Sequence, residues 1–244
     1  SSFINALIGE ELLEAGQNAT TGLICEIHNS KDKYSISYKC NGNDINIDCS
    51  GKEKIEIMDD LPDDLKDTIN AEKNPIGRIR AVIQYYNYKD KTNNINRTEK
   101  IDEKKVIIHC PFYSSNMPEN IVFYDTPGGD SDSNEDDKET LCRALENQTK
   151  GFVVFVCDKR KDLDKSKKLI ETLNEKTGKK LDLPHTIVIC NQMETVPEEV
   201  TNKTSIEEEW NPQIIYVSSA VALGARKKSD KKDWKNKTLY GVYK

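Results

Sequence analysis

The chain has 244 residues, with 36 Lys and Arg against 42 Asp and Glu, a formal net charge of −6. Charged residues make up 32% and apolar residues 36%, which predicts an ordinary hydrophobic core with long solvated excursions. The longest apolar run, Phe152 to Cys157, is far short of the about 20 residues that a bilayer-spanning helix needs. No secretory pattern is visible, and the acidic balance argues against nonspecific nucleic-acid binding.

The first segment, SSFINALIGEELL, places Phe3, Ile4, Leu7 and Ile8 on one helical face, with Gly9 weakening the helix near its end. Residues 22–27, GLICEI, read as a buried strand. Asn41-Gly42 between the alternating runs YSISY and INIDC predicts a hairpin. Helical stretches are expected at 61–69 and 76–86. Residues 87–104 have almost no apolar content and read as an exposed loop. Strands follow at 106–110 and 120–125, then a helix at 137–147 and a buried strand at 152–158. A helix at 163–176 carries Leu169, Ile170 and Leu173 inward, ahead of strands at 185–191 and 214–219. A polar helical stretch ends near Trp210, and 226–237 is a Lys-rich solvated tail. Apolar strands separated by helices imply an α/β fold with a mostly parallel central sheet and helices on both faces.

Seven cysteines show no C-x-x-C spacing and no ligand-like spacing with His28, His109 and His185. They read as reduced, buried thiols of a cytosolic protein, and no zinc site is expected.

In such a sheet, ligands gather at the carboxyl ends of strands. NIVFY ends in Asp125-Thr126-Pro127-Gly128-Gly129. An Asp with Gly three residues on matches the DxxG element of nucleotide triphosphatases. Its carboxylate can hold Mg2+, and the Gly128 N–H can approach a terminal phosphate. By itself the element is also an ordinary strand-to-turn junction. HTIVIC ends in Asn191-Gln192-Met193-Glu194, where the matching element is Asn/Thr-Lys-x-Asp. Asn191 fits, Gln192 replaces Lys, and Glu194 replaces Asp as acceptor for the guanine N–H donors. IIYV ends in Ser218-Ser219-Ala220, like a base-contacting Ser-Ala loop.

The opening SSFINALIGEELLEAGQNATTGLICEI closely resembles the bacterial dynamin-like GTPases and the wider dynamin superfamily. In those proteins Gly-Lys-Ser precedes Phe-Ile-Asn-Ala-Leu, and a Thr-Thr switch leads into a strand. The resemblance implies a P-loop G domain from residues 1–27 and 119–244, interrupted by an insertion at 28–118. It implies that Ser1, with Ser2 beside it, contacts the nucleotide phosphates. Ser1, Asp125 and Thr21, or Thr20 in its place, would serve Mg2+ and the attacking water. Gly128 would meet the terminal phosphate, and Asn191, Gln192, Glu194 and 218–220 the base. Gly129 stands where small signalling GTPases place a water-orienting Gln.

GTP hydrolysis to GDP and phosphate is the expected activity, with Mg2+ as cofactor. A homodimer across the nucleotide face is expected, as are a cytoplasmic or peripheral membrane location and membrane remodelling through regions outside this chain. No nucleic-acid partner is expected. The changes at Gln192 and Glu194 leave open a non-hydrolysing nucleotide-binding scaffold. The charged insertion leaves open a protein-interaction module. The glycines and lysine of GxxxxGK are absent before Ser1, so the chain is expected to be a fragment of a longer protein and to lack turnover by itself.

Overall fold

The computed structural model describes residues 1–14, 22–51, 61–87, 89–90, 95–113, 117–127, 135–146, 154–157, 171–176, 178, 187–190 and 213–216. The chain divides into two compact units, Ser1–Gly128 with Glu135–Leu141, and Gly129–Asn134 with Cys142–Lys244.

In the first unit, α1 (Ser2–Ile8) precedes β1 (Ile24–Asn29), β2 (Ser35–Cys40) and β3 (Asn43–Asp48). Helices α2 (Asp63–Ala71) and α3 (Pro75–Asn87) follow. After them come the two-residue strands β4 (Lys89–Asp90) and β5 (Ile95–Asn96), a 3-10 turn (Arg97–Lys100), β6 (Ile101–Cys110) and β7 (Val122–Asp125). Five strands form one sheet in the order β3-β2-β6-β1-β7. The β1–β6 pair is parallel, while β7, β2 and β3 join antiparallel. The second unit contains β8 (Val154–Cys157), β9 (Ile187–Cys190) and β10 (Gln213–Tyr216), all parallel in the order β10-β9-β8. The helix α4 (Glu135–Glu146) is divided between the units.

Register explains the core of the first unit. Phe123, Ile27, Ile108, Ile36 and Ile47 form one row across five strands. Asp125, Cys25, Val106, Tyr38 and Ile45 form the next. Period-two alternation puts both rows on one face. Apart from Phe123, which is half-buried, all of their side chains are buried, and those other than Asp125 join Ile4 and Ile8 of α1 and Ile79, Val82, Ile83 and Tyr86 of α3 in a single core. Asp125 therefore stands at the end of an otherwise apolar row.

Local signals account for most boundaries. Gly9 closes α1 at φ 87°, a left-handed cap. Pro75 opens α3, and Asn74 Oδ1 accepts the Gly77 N–H at 2.6 Å as its N-cap. Asn41 and Gly42, at φ 50° and 84°, make the expected hairpin turn between β2 and β3.

Two expectations are corrected. Residues 95–104 are not an exposed loop: the 3-10 turn buries Thr98, and β6 starts at a buried Ile101. Thr98 Oγ1 donates to the Tyr86 carbonyl at 2.9 Å, so a polar side chain packs there with its hydrogen bond made. Glu103 and Lys104, at φ 57° and 49°, bulge the strand where its register with β2 shifts, which breaks the alternation a sequence reader looks for. The strand at 152–158 was expected to be buried, yet Val154 and Val156 are 41% and 47% exposed. They are alternate residues of β8 and so share one face of the sheet, and their side chains there are open to solvent. In the expected helix at 163–176, residues 171–176 are helical with Leu173 buried, and Leu169 and Ile170 lie outside the described residues.

Among the described residues, five cysteines are free thiols, Cys25, Cys40, Cys49, Cys110 and Cys142. No described helix is long and apolar enough to cross a membrane.

Candidate nucleotide site at the end of strand β7

Strand β7 ends at Asp125, which is 8% exposed. A carboxylate this buried needs partners. The Ser1 hydroxyl donates to its Oδ2 at 3.0 Å. Ser1 stands at the N-cap position of α1 without making a side-chain capping bond. A Ser in that position usually turns its oxygen onto the helix's own N–H groups; here the hydroxyl faces Asp125 instead.

Beneath the carboxylate sits Cys25, paired in register with Asp125 and fully buried. Burial pushes its thiol far above the ordinary range, and the Asp125 charge pushes it further. Cys25 is therefore a neutral packing group. Pro127, two residues beyond Asp125, is buried as well and fixes the chain's exit from the strand.

The paired oxygens suit a small hard cation. Two neighbouring ligands on an octahedral ion at about 2.1 Å are roughly 3.0 Å apart, which is the separation of Ser1 Oγ and Asp125 Oδ2. Among the described residues no group of three or more His, Cys, Asp or Glu could hold a metal.

Behind Ser1, the helix is tied to the chain that follows it. The Asn5 side chain is 1% exposed; its Oδ1 accepts the Leu12 and Leu13 N–H groups at 3.1 and 2.8 Å, and its Nδ2 donates to the Leu13 carbonyl at 2.6 Å. A sequence reading that counts only apolar periodicity passes over Asn5. The signal is an amide set between Ile4 and Ala6 on a helix that must bury that face.

Of the residues singled out in the sequence, Ser1 and Asp125 are brought together. Ser2 occupies the first turn of α1. Thr20, Thr21, Gly128, Asn191, Gln192, Glu194, Ser218, Ser219 and Ala220 lie outside the described residues.

The model of the dynamin family matches residues 1–193. The chain belongs to the dynamin family. Dynamin-family proteins are GTPases, so this G domain is of the GTPase nucleotide-binding type. No curated protein matches this dynamin-family chain. Two solved structures similar to it both come from work on an oligomerised bacterial dynamin pair, described as providing a mechanism for long-range sensing and tethering of membranes. The first is 13% identical, with a TM-score of 0.47, covering 99% of this chain and 43% of the other. The second is 14% identical, with a TM-score of 0.46, covering 97% and 34%. The chain thus spans less than half the length of these relatives.

Proposed function

We propose that this dynamin-family domain binds GTP with Mg2+ and hydrolyses its β–γ phosphoanhydride by in-line attack of water. The observation that carries the reading is the Ser1–Asp125 contact, two hard oxygens 3.0 Å apart at a strand end. Ser1 and Asp125 would hold the ion, which would supply the positive charge that phosphoryl transfer needs, and the apolar row behind Asp125 fixes the carboxylate's position. Thr21, with Thr20 as the alternative, orients the attacking water. The Gly128 N–H donates to the terminal phosphate, where no side chain blocks its approach. Asn191 and Glu194 read the guanine edge, Gln192 covers the base, and 218–220 contact it through backbone. Residues 28–118 act as an insertion into a G domain formed by 1–27 and 119–244.

The full-length protein works as a homodimer across the nucleotide face, resides in the cytoplasm or peripherally on a membrane, and remodels membranes through regions outside this chain. Support for self-association and for membranes comes from the solved relatives, described as an oligomerised pair that senses and tethers membranes.

The test is a competition titration on the full-length protein with GTP, GDP and ATP, for wild type and Glu194→Ala. Glu194 presents two acceptor oxygens to the two N–H donors of guanine, and adenine offers an unprotonated ring nitrogen there. Wild type is expected to prefer GTP over ATP by about tenfold to a hundredfold, from an unpaired contact of about 1–3 kcal/mol. Glu194→Ala is expected to collapse that ratio. Equal ratios in the two proteins contradict the assignment of Glu194.

A further inference from the structure

The role of the long insertion can be read from two contacts that reach out of it. Residues 15–21, which carry Thr20 and Thr21, lie outside the described residues, but the chain is described on both sides of them. On the upstream side, Arg80 of α3 donates from Nη1 to the Glu11 carbonyl at 3.1 Å, and the same nitrogen lies 3.8 Å from Glu11 Oε2. On the downstream side, Asn87, the last residue of α3, accepts the Gly22 N–H on Oδ1 at 3.0 Å, across 65 positions of sequence. Positions i and i+7 share a helix face about 10 Å apart. One face of one helix therefore holds both ends of the segment.

The helix is itself rigidly set. Ile79, Val82 and Ile83 are buried in the core, and the Tyr86 hydroxyl meets that of Tyr38 on β2 at 3.2 Å. The Tyr86 carbonyl accepts from Thr98 at 2.9 Å. Gly22 is buried and leads directly into Leu23 and β1, so its N–H depends on a protein acceptor. Asn5 adds a third tie, from α1, at Leu12 and Leu13.

We propose that α3 of the insertion is a positioning element for the GTPase reaction, with Asn87 and Arg80 as positioning residues that fix the two ends of the Glu11–Gly22 segment. This rests on the reading of Thr21 or Thr20 as the residue that orients the attacking water. Asn87 bonds the residue immediately after Thr21, so a shift at Gly22 displaces the threonine's own peptide. GDP lacks the γ-phosphate whose hydrolysis that placement would serve, so its binding depends less on it.

The experiment uses the full-length protein with Asn87→Leu, which removes the acceptor; Asn87→Asp, which keeps it; and Arg80→Met at the other, half-exposed end. Steady-state phosphate release, GDP affinity, thermal midpoint and hydrogen exchange of the Gly22 amide are measured for each. Asn87→Leu is expected to lower kcat about tenfold or more with GDP affinity within about twofold. It is also expected to speed Gly22 exchange about tenfold. Asn87→Asp stays within about threefold of wild type, and Arg80→Met lowers kcat in the same direction as Asn87→Leu. Parallel losses of kcat, GDP affinity and thermal midpoint in both Asn87 variants overturn the proposal, as does wild-type kcat in Asn87→Leu. Should Asn87→Leu fail to fold, wild-type kcat in Arg80→Met overturns it. A wild-type protein that releases no phosphate from GTP refutes the functional reading instead. Gly22 exchange in the same samples then decides the bracket: unchanged exchange in Asn87→Leu overturns it.

Discussion

The Ser1 hydroxyl donates to Asp125 Oδ2 at 3.0 Å, a contact between residues 124 positions apart. It joins the start of α1 to the end of β7, and packing of Ile4 and Ile8 together with the Asn5 bonds holds the helix in place.

Asn5→Ala tests that hold: it leaves the Leu13 N–H and carbonyl without their Asn5 partner, while the Leu12 N–H keeps its bond to the Glu10 carbonyl at 3.0 Å. With net costs of about 1–3 kcal/mol for each stranded buried group and partial relaxation, a loss of about 2–4 kcal/mol is expected in urea unfolding. A change below about 0.5 kcal/mol means that water replaces the amide without penalty.

Gly9 is constrained twice. Its φ is 87°, and a Cβ added there meets Tyr113 Cβ at 2.8 Å. Gly9→Ala is expected to destabilise by about 1–3 kcal/mol, combining left-handed backbone strain with the clash. Tyr113→Gly removes every Tyr113 side-chain atom that the added Cβ meets, the Cβ included. In a double-mutant cycle the coupling should recover part of the loss, and the strain of about 1–2 kcal/mol should persist. Full recovery contradicts the backbone contribution.

Stability should fall in acid through two separable groups on the outward face of the sheet. His109 stacks on His28 with ring centroids 4.8 Å apart, and its Nδ1 is buried with no hydrogen-bond partner among the described residues. Burial, then the Lys33 and His28 charges, hold it below the ordinary 6.5, and Glu26 opposes them weakly. A depressed folded value means the unfolded chain binds more protons, so this stability is full above pH 6.5 and is lost as pH falls below it. Burial raises Glu26, but bonds and charges from Lys105 and His28 outweigh it and hold the carboxyl below 4.5. Its contribution is present above pH 4.5 and is lost below that. His109→Gln should flatten the stability profile in the upper window and leave the lower one. An unchanged upper slope contradicts the assignment.

Much of this was legible in the sequence because the relevant signals are local. Asn41-Gly42 specifies its turn, Gly9 its cap, and the run before Asp125 its strand. The pairing of Ser1 with Asp125 was reachable through the ordered motifs. The bracket by Asn87 and Arg80 was not, since a polar residue on a helix gives no sign of which distant backbone group it meets. Thr98 was passed over for a related reason: a buried hydroxyl looks like a surface residue until its partner carbonyl is known. The exposure of Val154 and Val156 depends on what packs on their face of β8, which the composition of one strand does not contain.

The most direct measurement is phosphate release from GTP by the full-length protein, comparing wild type with Asp125→Asn across a Mg2+ titration. Asn keeps the size of the side chain and one acceptor oxygen but removes the charge that holds the cation. The expected result is turnover in wild type that requires Mg2+, a fall of about a hundredfold or more in Asp125→Asn, and a smaller change in GDP affinity. Equal turnover in the two proteins, or turnover independent of Mg2+, contradicts the assignment of Ser1 and Asp125 as the cation site of this dynamin-family domain.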